Sequence, residues 1–153
     1  MTAEAPAAPA VSYGRLLPVT VHFDDLDALG LLHNARYPLM VERAWTALWN
    51  DHGFLGYEGD WEAAGDFCNA VKELRISYEA PVNRPGAYAV HLWLERLGTT
   101  GLTYGFRFCS ADGAVTYAHG TRVLVRLDAA TLRPTSWSDR FRAVGRELLR
   151  SQD

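Results

Sequence analysis

Residues 35–52 read ARYPLMVERAWTALWNDH, and this stretch decides which fold the rest of the chain can form. Its large apolar side chains recur at helical spacing, at Val41, Trp45, Leu48 and Trp49. The pattern predicts a long helix over residues 35–52 that is buried on most of its sides. Asn34 is the expected N-cap, and Gly53 is the expected stop at the C-terminal end.

Alternating apolar and polar residues on both sides of this helix indicate strands. One run, LLPVTVHF, lies before the helix at 16–23, and four follow it at 67–79, 88–97, 102–109 and 115–127. The connections between the last four are short, which predicts an antiparallel meander. In the final run the larger side chains occupy odd-numbered positions from Val115 to Leu127. Residues 138–150 predict a short amphipathic C-terminal helix with Ser138 as its N-cap.

The order β-α-β-β-β-β-α predicts an α+β fold in which a five-stranded antiparallel sheet curls around the long helix. Residues 1–14 form an Ala/Pro-rich tail that we expect to be disordered, because it has no apolar period to bury. Residues 15–153 contain no repeat and no linker, so we expect a single domain there.

Composition excludes several classes of function. The chain has 153 residues, with 15 Lys+Arg against 18 Asp+Glu, so its formal charge of −3 argues against nucleic-acid binding. No run approaches the roughly 20 apolar residues that would cross a bilayer, and no secretion signal is apparent, so we expect no membrane association and a cytoplasmic location. The two cysteines, Cys68 and Cys109, are expected to be free thiols.

The densest group of chemically active side chains is the run DDLDALG at 24–30, just ahead of the long helix. Its carboxylates could simply cap turns and favour the positive end of the helix dipole. A calcium loop is excluded, because counting from Asp25 puts Arg36 where the bidentate glutamate is needed.

The run Asp25-x-Asp27-x-x-Gly30-x-x-x-Asn34-Ala35-Arg36-Tyr37 resembles the signature of the 4-hydroxybenzoyl-CoA thioesterase-like branch of the hotdog-fold acyl thioesterases. Tyr78-Glu79-Ala80-Pro81-Val82 and the hairpin Asp112-Gly113 extend the resemblance over residues 16–135. It implies the hotdog fold, a homodimer or homotetramer with active sites at the subunit interface, and hydrolysis of an acyl-CoA or acyl-carrier-protein thioester. No metal or redox cofactor is implied.

The resemblance also implies that Asp27 is the catalytic carboxylate, as nucleophile or general base. Thioester hydrolysis needs an activated oxygen and a donor for the carbonyl oxygen, and the N–H group of Asn34 at the helix start is the candidate donor. The other candidate residues around this motif are expected to bind substrate: Gly30, His33, Arg36 and Tyr37. Glu42 is the rival catalytic acid, since other hotdog branches have their carboxylate on the helix.

Two other functions stay open. One is a non-catalytic module that binds an acyl ligand, and the other is a hotdog dehydratase, although His33 lies six residues after Asp27. The loop at 53–65, with Phe54, Tyr57 and Trp61, is a candidate wall of the acyl pocket. The arginines that could contact the phosphates of coenzyme A or an acidic carrier protein are Arg75, Arg84, Arg107, Arg122 and those of the last helix.

Overall fold

The computed structural model describes residues 11–54 and 65–151. The helices are α1 (Arg36–Asp51) and α2 (Asp139–Leu148), and the strands are β1 (Arg15–Val21), β2 (Asn69–Tyr78), β3 (Gly86–Leu97), β4 (Gly101–Ser110) and β5 (Thr116–Arg126). All strand pairs are antiparallel. The predicted five-stranded antiparallel sheet, the long helix and the short C-terminal helix are therefore confirmed.

The order of strands in the sheet is β1-β3-β4-β5-β2, so the predicted four-strand meander is wrong. Only β3, β4 and β5 form a meander. β2 pairs with β5 at the far edge, and Tyr78 lies opposite Ala118. The segment at 79–85 therefore crosses the sheet from one edge strand toward the other, although it is as short as a hairpin loop. The prediction failed because it inferred the pairing of β2 with β3 from the short length of this connection alone.

Helix α1 packs on one face of the sheet, over β1, β3 and β4. Trp45 of α1 stacks on Tyr104 of β4 with ring centroids 4.0 Å apart. Trp49 stacks on Phe141 of α2 at the same distance, so the second helix closes the end of the core. These large aromatic contacts bury one face of α1. The opposite face is exposed, so the prediction of a helix buried on most of its sides is wrong; the exposed residues are Arg36, Leu39, Glu42, Arg43, Ala47, Asn50 and Asp51.

The helix-facing row of β5 is the even-numbered row, which includes Ala118, Gly120 and Arg122, and not the odd-numbered row of mostly larger residues. Tyr104 lies opposite Arg122, and Phe106 lies opposite Gly120. A Cβ atom on Gly120 would clash with the Arg75 carbonyl oxygen of β2 and would lie 2.9 Å from the Phe106 ring, so this position on β5 requires glycine. Arg122 shares this inward row and is only 6% exposed.

The ends of the helices match the sequence predictions in two cases out of three. Ser138 caps α2, since its hydroxyl accepts a hydrogen bond from the Phe141 N–H at 3.1 Å. Gly53, with φ +81°, ends α1. The N-cap of α1, however, is Ala35 and not Asn34, and no side chain caps it. Asn34 lies one residue before the helix, beside the cleft described below.

Residues 1–10 of the predicted tail, together with Tyr57 and Trp61 of the predicted pocket loop, lie outside the described residues. Tyr13, at the end of that tail, is described. Its ring packs edge-on against Trp93, with centroids 5.4 Å apart, and its carbonyl oxygen lies 2.7 Å from Nε2 of His91. The chain thus makes defined contacts before β1 begins.

Candidate functional site

The two carboxylates of the Asp25-x-Asp27 motif have different surroundings. Asp25 is 8% exposed, and its Oδ2 accepts a hydrogen bond from the His22 N–H at 2.8 Å. Its Oδ1 lies 3.9 Å from Nε of Arg36. Both oxygens of Asp25 are therefore engaged in holding the loop against the start of α1, which is a structural use of a carboxylate.

Asp27 is held by the backbone of its own turn. Its Oδ1 accepts hydrogen bonds from the N–H groups of Leu29 at 2.8 Å and Leu31 at 3.1 Å. Gly30 makes this turn possible, because its φ of +74° is a conformation that glycine adopts without strain. Oδ2 of Asp27 accepts no hydrogen bond from the residues that the structure describes. One oxygen thus fixes the side chain, and the other has no hydrogen-bond donor among these residues.

Asp27 and Asn34 line the same cleft, whose volume is about 340 Å³. Leu31, Leu32 and Tyr37 complete one wall of this cleft, and residues 78–81 form the other. The hydroxyl of Tyr78 donates a hydrogen bond to the carbonyl oxygen of Asn34 at 3.2 Å and so joins the two walls. The cleft therefore lies between the loop ahead of α1 and the end of β2.

The backbone before α1 presents a free N–H group. The Ala35 N–H donates to Nδ1 of His33 at 3.0 Å, and the Arg36 N–H donates to the His33 carbonyl oxygen at 2.9 Å. Within residues 11–54 and 65–151, the Asn34 N–H has no hydrogen-bond acceptor. An unpaired amide at the amino end of a helix is a donor for a developing negative charge.

Tyr37 adds a buried phenol to the cleft. It is 3% exposed and packs edge-on against Tyr78 and Phe108, each with ring centroids 5.2 Å away. Burial raises the pKa of Tyr37, while the backbone of Val82 acts in the opposite direction more weakly. The phenol is therefore neutral at physiological pH and can donate a hydrogen bond.

The structure thus brings Asp27, Asn34 and Tyr37 of the candidate residues together at the cleft. Gly30, His33 and Arg36 do not line it. Gly30 shapes the turn, Nδ1 of His33 accepts the Ala35 N–H, and Arg36 extends toward Asp25. Glu42, the rival carboxylate, is exposed on α1 and is also absent from the lining of the cleft.

The second wall of the cleft is not predicted as a functional site from the sequence. Its residues belong to the run that carries the family resemblance, Tyr78, Glu79, Ala80 and Pro81, but no role is predicted for them. Glu79 lies within hydrogen-bond distance of His119, whose Nε2 is 2.7 Å from its Oε1. The Tyr-Glu-Ala-Pro run is visible in the sequence as part of the family resemblance. Its position beside Asp27, however, depends on the pairing of β2 with β5.

The larger cavity of about 500 Å³ lies on the opposite face of the sheet. Arg75, Arg107 and His119 are among the residues that line it. It contains none of the candidate catalytic residues, so the smaller cleft is the better site for chemistry. Among the described residues, no group of three or more His, Cys, Asp and Glu side chains converges as a metal site would require.

A five-stranded antiparallel sheet packed on a long helix, with a carboxylate in a cleft beside the start of that helix, defines a hotdog-fold domain. The particular family follows from the sequence as a whole. The chain belongs to the Thioesterase-like superfamily, whose family model matches residues 21–145. No helix within the described residues has the length and apolar character needed to span a membrane.

Three relatives illustrate this similarity. The protein named "Putative acyl-CoA thioesterase YneP" from Bacillus subtilis (strain 168) is 26% identical over 123 residues, which cover 80% of this chain and 86% of YneP. The PA5185 protein from Pseudomonas aeruginosa superimposes with a TM-score of 0.80 at 23% identity, over 92% of this chain and 95% of that one. The PA2801 protein, "a putative Thioesterase" from Pseudomonas aeruginosa, has a TM-score of 0.75 at 28% identity, over 87% and 98% of the two chains.

Proposed function

We propose that this protein hydrolyses acyl-CoA thioesters to a free acid and a thiol, and that Asp27 is its catalytic carboxylate. One observation carries the proposal: Asp27, whose Oδ2 accepts no hydrogen bond from the described residues, and Asn34, whose N–H has no acceptor among them, line the same cleft. Thioester hydrolysis requires an oxygen nucleophile and a hydrogen-bond donor for the carbonyl oxygen, and this cleft supplies both.

The chemistry can follow either of two routes. In the first, Oδ2 of Asp27 attacks the thioester carbon, the C–S bond breaks, and water hydrolyses the resulting anhydride. In the second, Asp27 takes a proton from a water molecule, whose oxygen attacks the same carbon while the thiolate leaves and is protonated. In both routes the Asn34 N–H donates to the negative oxygen of the tetrahedral intermediate, and Tyr37 is a second donor in the cleft.

Coenzyme A is the proposed carrier, because the similar Bacillus subtilis protein is named as an acyl-CoA thioesterase. An acyl carrier protein has no comparable support. Two exposed arginines follow the two walls of the cleft in the sequence: Arg36 is the first residue of α1, and Arg84 lies on the segment before β3. Both are suited to bind phosphate groups at the mouth of the cleft.

We also propose that two copies of the chain associate through the edge strand β2. Nearly every residue of this ten-residue strand is exposed or half-exposed, including Val71 at 50% and Leu74 at 38%. A long, uncovered edge strand with exposed apolar side chains is usually paired with another chain. Tyr78 lies on the same strand, so this association would bring a second subunit to the cleft.

A thiol-release assay over a panel of acyl-CoA esters tests the proposal. The expected result is release of coenzyme A from at least one ester. If no ester is cleaved while the protein binds the free acids, the chain is a non-catalytic acyl-binding module. If the chain instead releases water from a 3-hydroxyacyl ester, it is a dehydratase.

A single-turnover reaction in heavy-oxygen water separates the two routes. If Asp27 is the nucleophile, the first acid that each enzyme molecule releases contains an oxygen from the carboxylate and no label. If Asp27 is the general base, that first acid is labelled. The released acid is analysed by mass spectrometry.

A further inference from the structure

The inward row of β5 contains a buried arginine where an apolar residue would be expected. Arg122 is 6% exposed, and its cross-strand neighbour Tyr104 is fully buried. The guanidinium carbon of Arg122 lies 5.9 Å from the centroid of the Tyr104 ring. Trp45 of α1 covers the other face of that ring. A charged group and a phenol therefore share the interior between the sheet and α1.

Neither group is fully satisfied. Nε of Arg122 and the hydroxyl of Tyr104 have no hydrogen-bond partner among the described residues. Nη2 of Arg122 makes only a long contact of 3.4 Å with the Pro38 carbonyl oxygen. Among residues 11–54 and 65–151, no carboxylate lies within 4.0 Å of the Arg122 guanidinium. Buried polar groups without partners cost stability, so a pair of them calls for an explanation.

This pair lies beside a strip of the sheet that α1 does not cover. Helix α1 packs over β1, β3 and β4. On the edge strand β2, the side chains that point to the same face of the sheet are exposed to solvent: the exposed fraction is 38% for Leu74 and 49% for Tyr78. Tyr78 lines the Asp27 cleft and pairs with Ala118, four residues before Arg122 on β5. Four strand residues span about 13 Å. The strip therefore leads from the cleft to the Tyr104–Arg122 pair.

We propose that Tyr104 and Arg122 form a polar subsite that selects acyl groups with a hydroxyl or keto oxygen at a distance from the thioester. This inference rests on the proposed thioesterase function and specifies its substrate class. The acyl chain would lie along the strip, and its oxygen would accept hydrogen bonds from the Tyr104 hydroxyl and the Arg122 guanidinium. Leu74, the cross-strand neighbour of Arg122 on β2, is the side chain that has to turn aside to admit the chain.

The protonation state of Tyr104 suits a ligand oxygen that accepts hydrogen bonds. Burial raises the pKa of Tyr104 to about 12, although the neighbouring Arg122 guanidinium acts in the opposite direction, so the hydroxyl remains a donor. The Arg122 guanidinium is a second donor at the same place.

The test uses acyl-CoA esters of one chain length in which a hydroxyl group is moved along the chain. We expect one hydroxyl position to have a kcat/KM about tenfold or more above that of the unsubstituted ester, which corresponds to one well-formed hydrogen bond. Tyr104→Phe should reduce that ratio to near one, and Arg122→Met should reduce it as well. Tyr13→Phe, on the opposite face of the sheet, should keep it.

Several results would overturn the subsite. It is wrong if no hydroxyl position is preferred, if the preference survives in Tyr104→Phe, or if Tyr13→Phe removes it equally. If the wild-type protein cleaves none of the esters, the proposed hydrolysis fails separately. Calorimetric titration with the free hydroxy acids then decides the subsite: binding that is weakened about tenfold in Tyr104→Phe supports it, and equal binding by both proteins rejects it.

Discussion

At the scale of single residues, the structure separates two aspartates that the sequence presents as equivalent. Both oxygens of Asp25 are engaged, by the His22 N–H and by Arg36, whereas Asp27 keeps one oxygen free in the cleft. The D-x-D spacing identifies the group of carboxylates. It does not reveal which one is free, because that depends on how the loop turns.

Replacing Asp25 should therefore cost stability. Asp25→Ala removes the acceptor of the His22 N–H and leaves Arg36 without its carboxylate, so we expect the free energy of unfolding to fall by about 1–2 kcal/mol. Urea denaturation measures this loss. Asp24→Ala removes an exposed carboxylate one residue away and should change the value by less than about 0.5 kcal/mol. Equal losses in the two variants would contradict the structural role of Asp25.

His91 predicts a pH dependence of stability. Burial lowers its pKa below the ordinary 6.5, with a smaller contribution from the Arg107 charge, while the Tyr13 carbonyl oxygen acts in the opposite direction. The unfolded chain therefore takes up a proton at a pH where folded His91 is still neutral. The stabilisation is fully present above pH 6.5 and is lost as the pH falls below that value.

The measurement is Tm as a function of pH between about 8 and 5.5. Tm of the wild-type protein should fall over the lower part of this range. His91→Gln should be less stable at the upper end but should have a flatter profile. An unchanged profile in His91→Gln would mean that another group causes the dependence.

At the scale of elements, the strength of the local signal decides which predictions are correct. The apolar stripe of α1, the Ser138 cap and the Gly53 stop depend on neighbouring residues, and each is confirmed. The position of β2 in the sheet depends on which strands pair, and so does the choice of which β5 side chains point toward α1. Odd-numbered residues of β5 are mostly the larger ones, yet the even-numbered row faces inward, because the pairing sets Gly120 opposite Phe106 and Arg122 opposite Tyr104.

The cap of α2 gives a prediction for one element. Ser138→Ala removes the acceptor of the Phe141 N–H and the hydroxyl that donates to Oδ2 of Asp66 at 2.6 Å. We expect a loss of about 1 kcal/mol or more in the free energy of unfolding. Ser136→Ala, at an exposed position two residues earlier, is the matched control. A stability of Ser138→Ala equal to that of the control would contradict the capping role.

At the scale of the whole molecule, the cleft exists because distant segments meet. Asp27 and Asn34 come from the loop before α1, whereas the facing wall comes from the end of β2, more than forty residues later. The first wall could be predicted from the motif and its position ahead of a helix. The second wall could not, because it requires β2 to be at the far edge of the sheet.

The proposed association through β2 predicts an effect of charge at that edge. Val71→Lys, at a position that is 50% exposed on β2, should shift the protein from dimer toward monomer because charged edge strands resist pairing. Val115→Lys, equally exposed at 49% before β5, should leave the assembly unchanged. Light scattering during size-exclusion chromatography gives the mass. A monomeric wild-type protein, or equal effects of both variants, would contradict the proposal.

The central claim is that the free carboxylate oxygen of Asp27 performs the chemistry in the cleft. Its most direct test is the rate of thiol release by Asp27→Asn beside Asp24→Asn, with the best acyl-CoA ester of the wild-type protein. We expect kcat of Asp27→Asn to fall by roughly 10²- to 10⁴-fold, while Asp24→Asn stays close to wild type. Near-full turnover by a correctly folded Asp27→Asn protein would contradict the account.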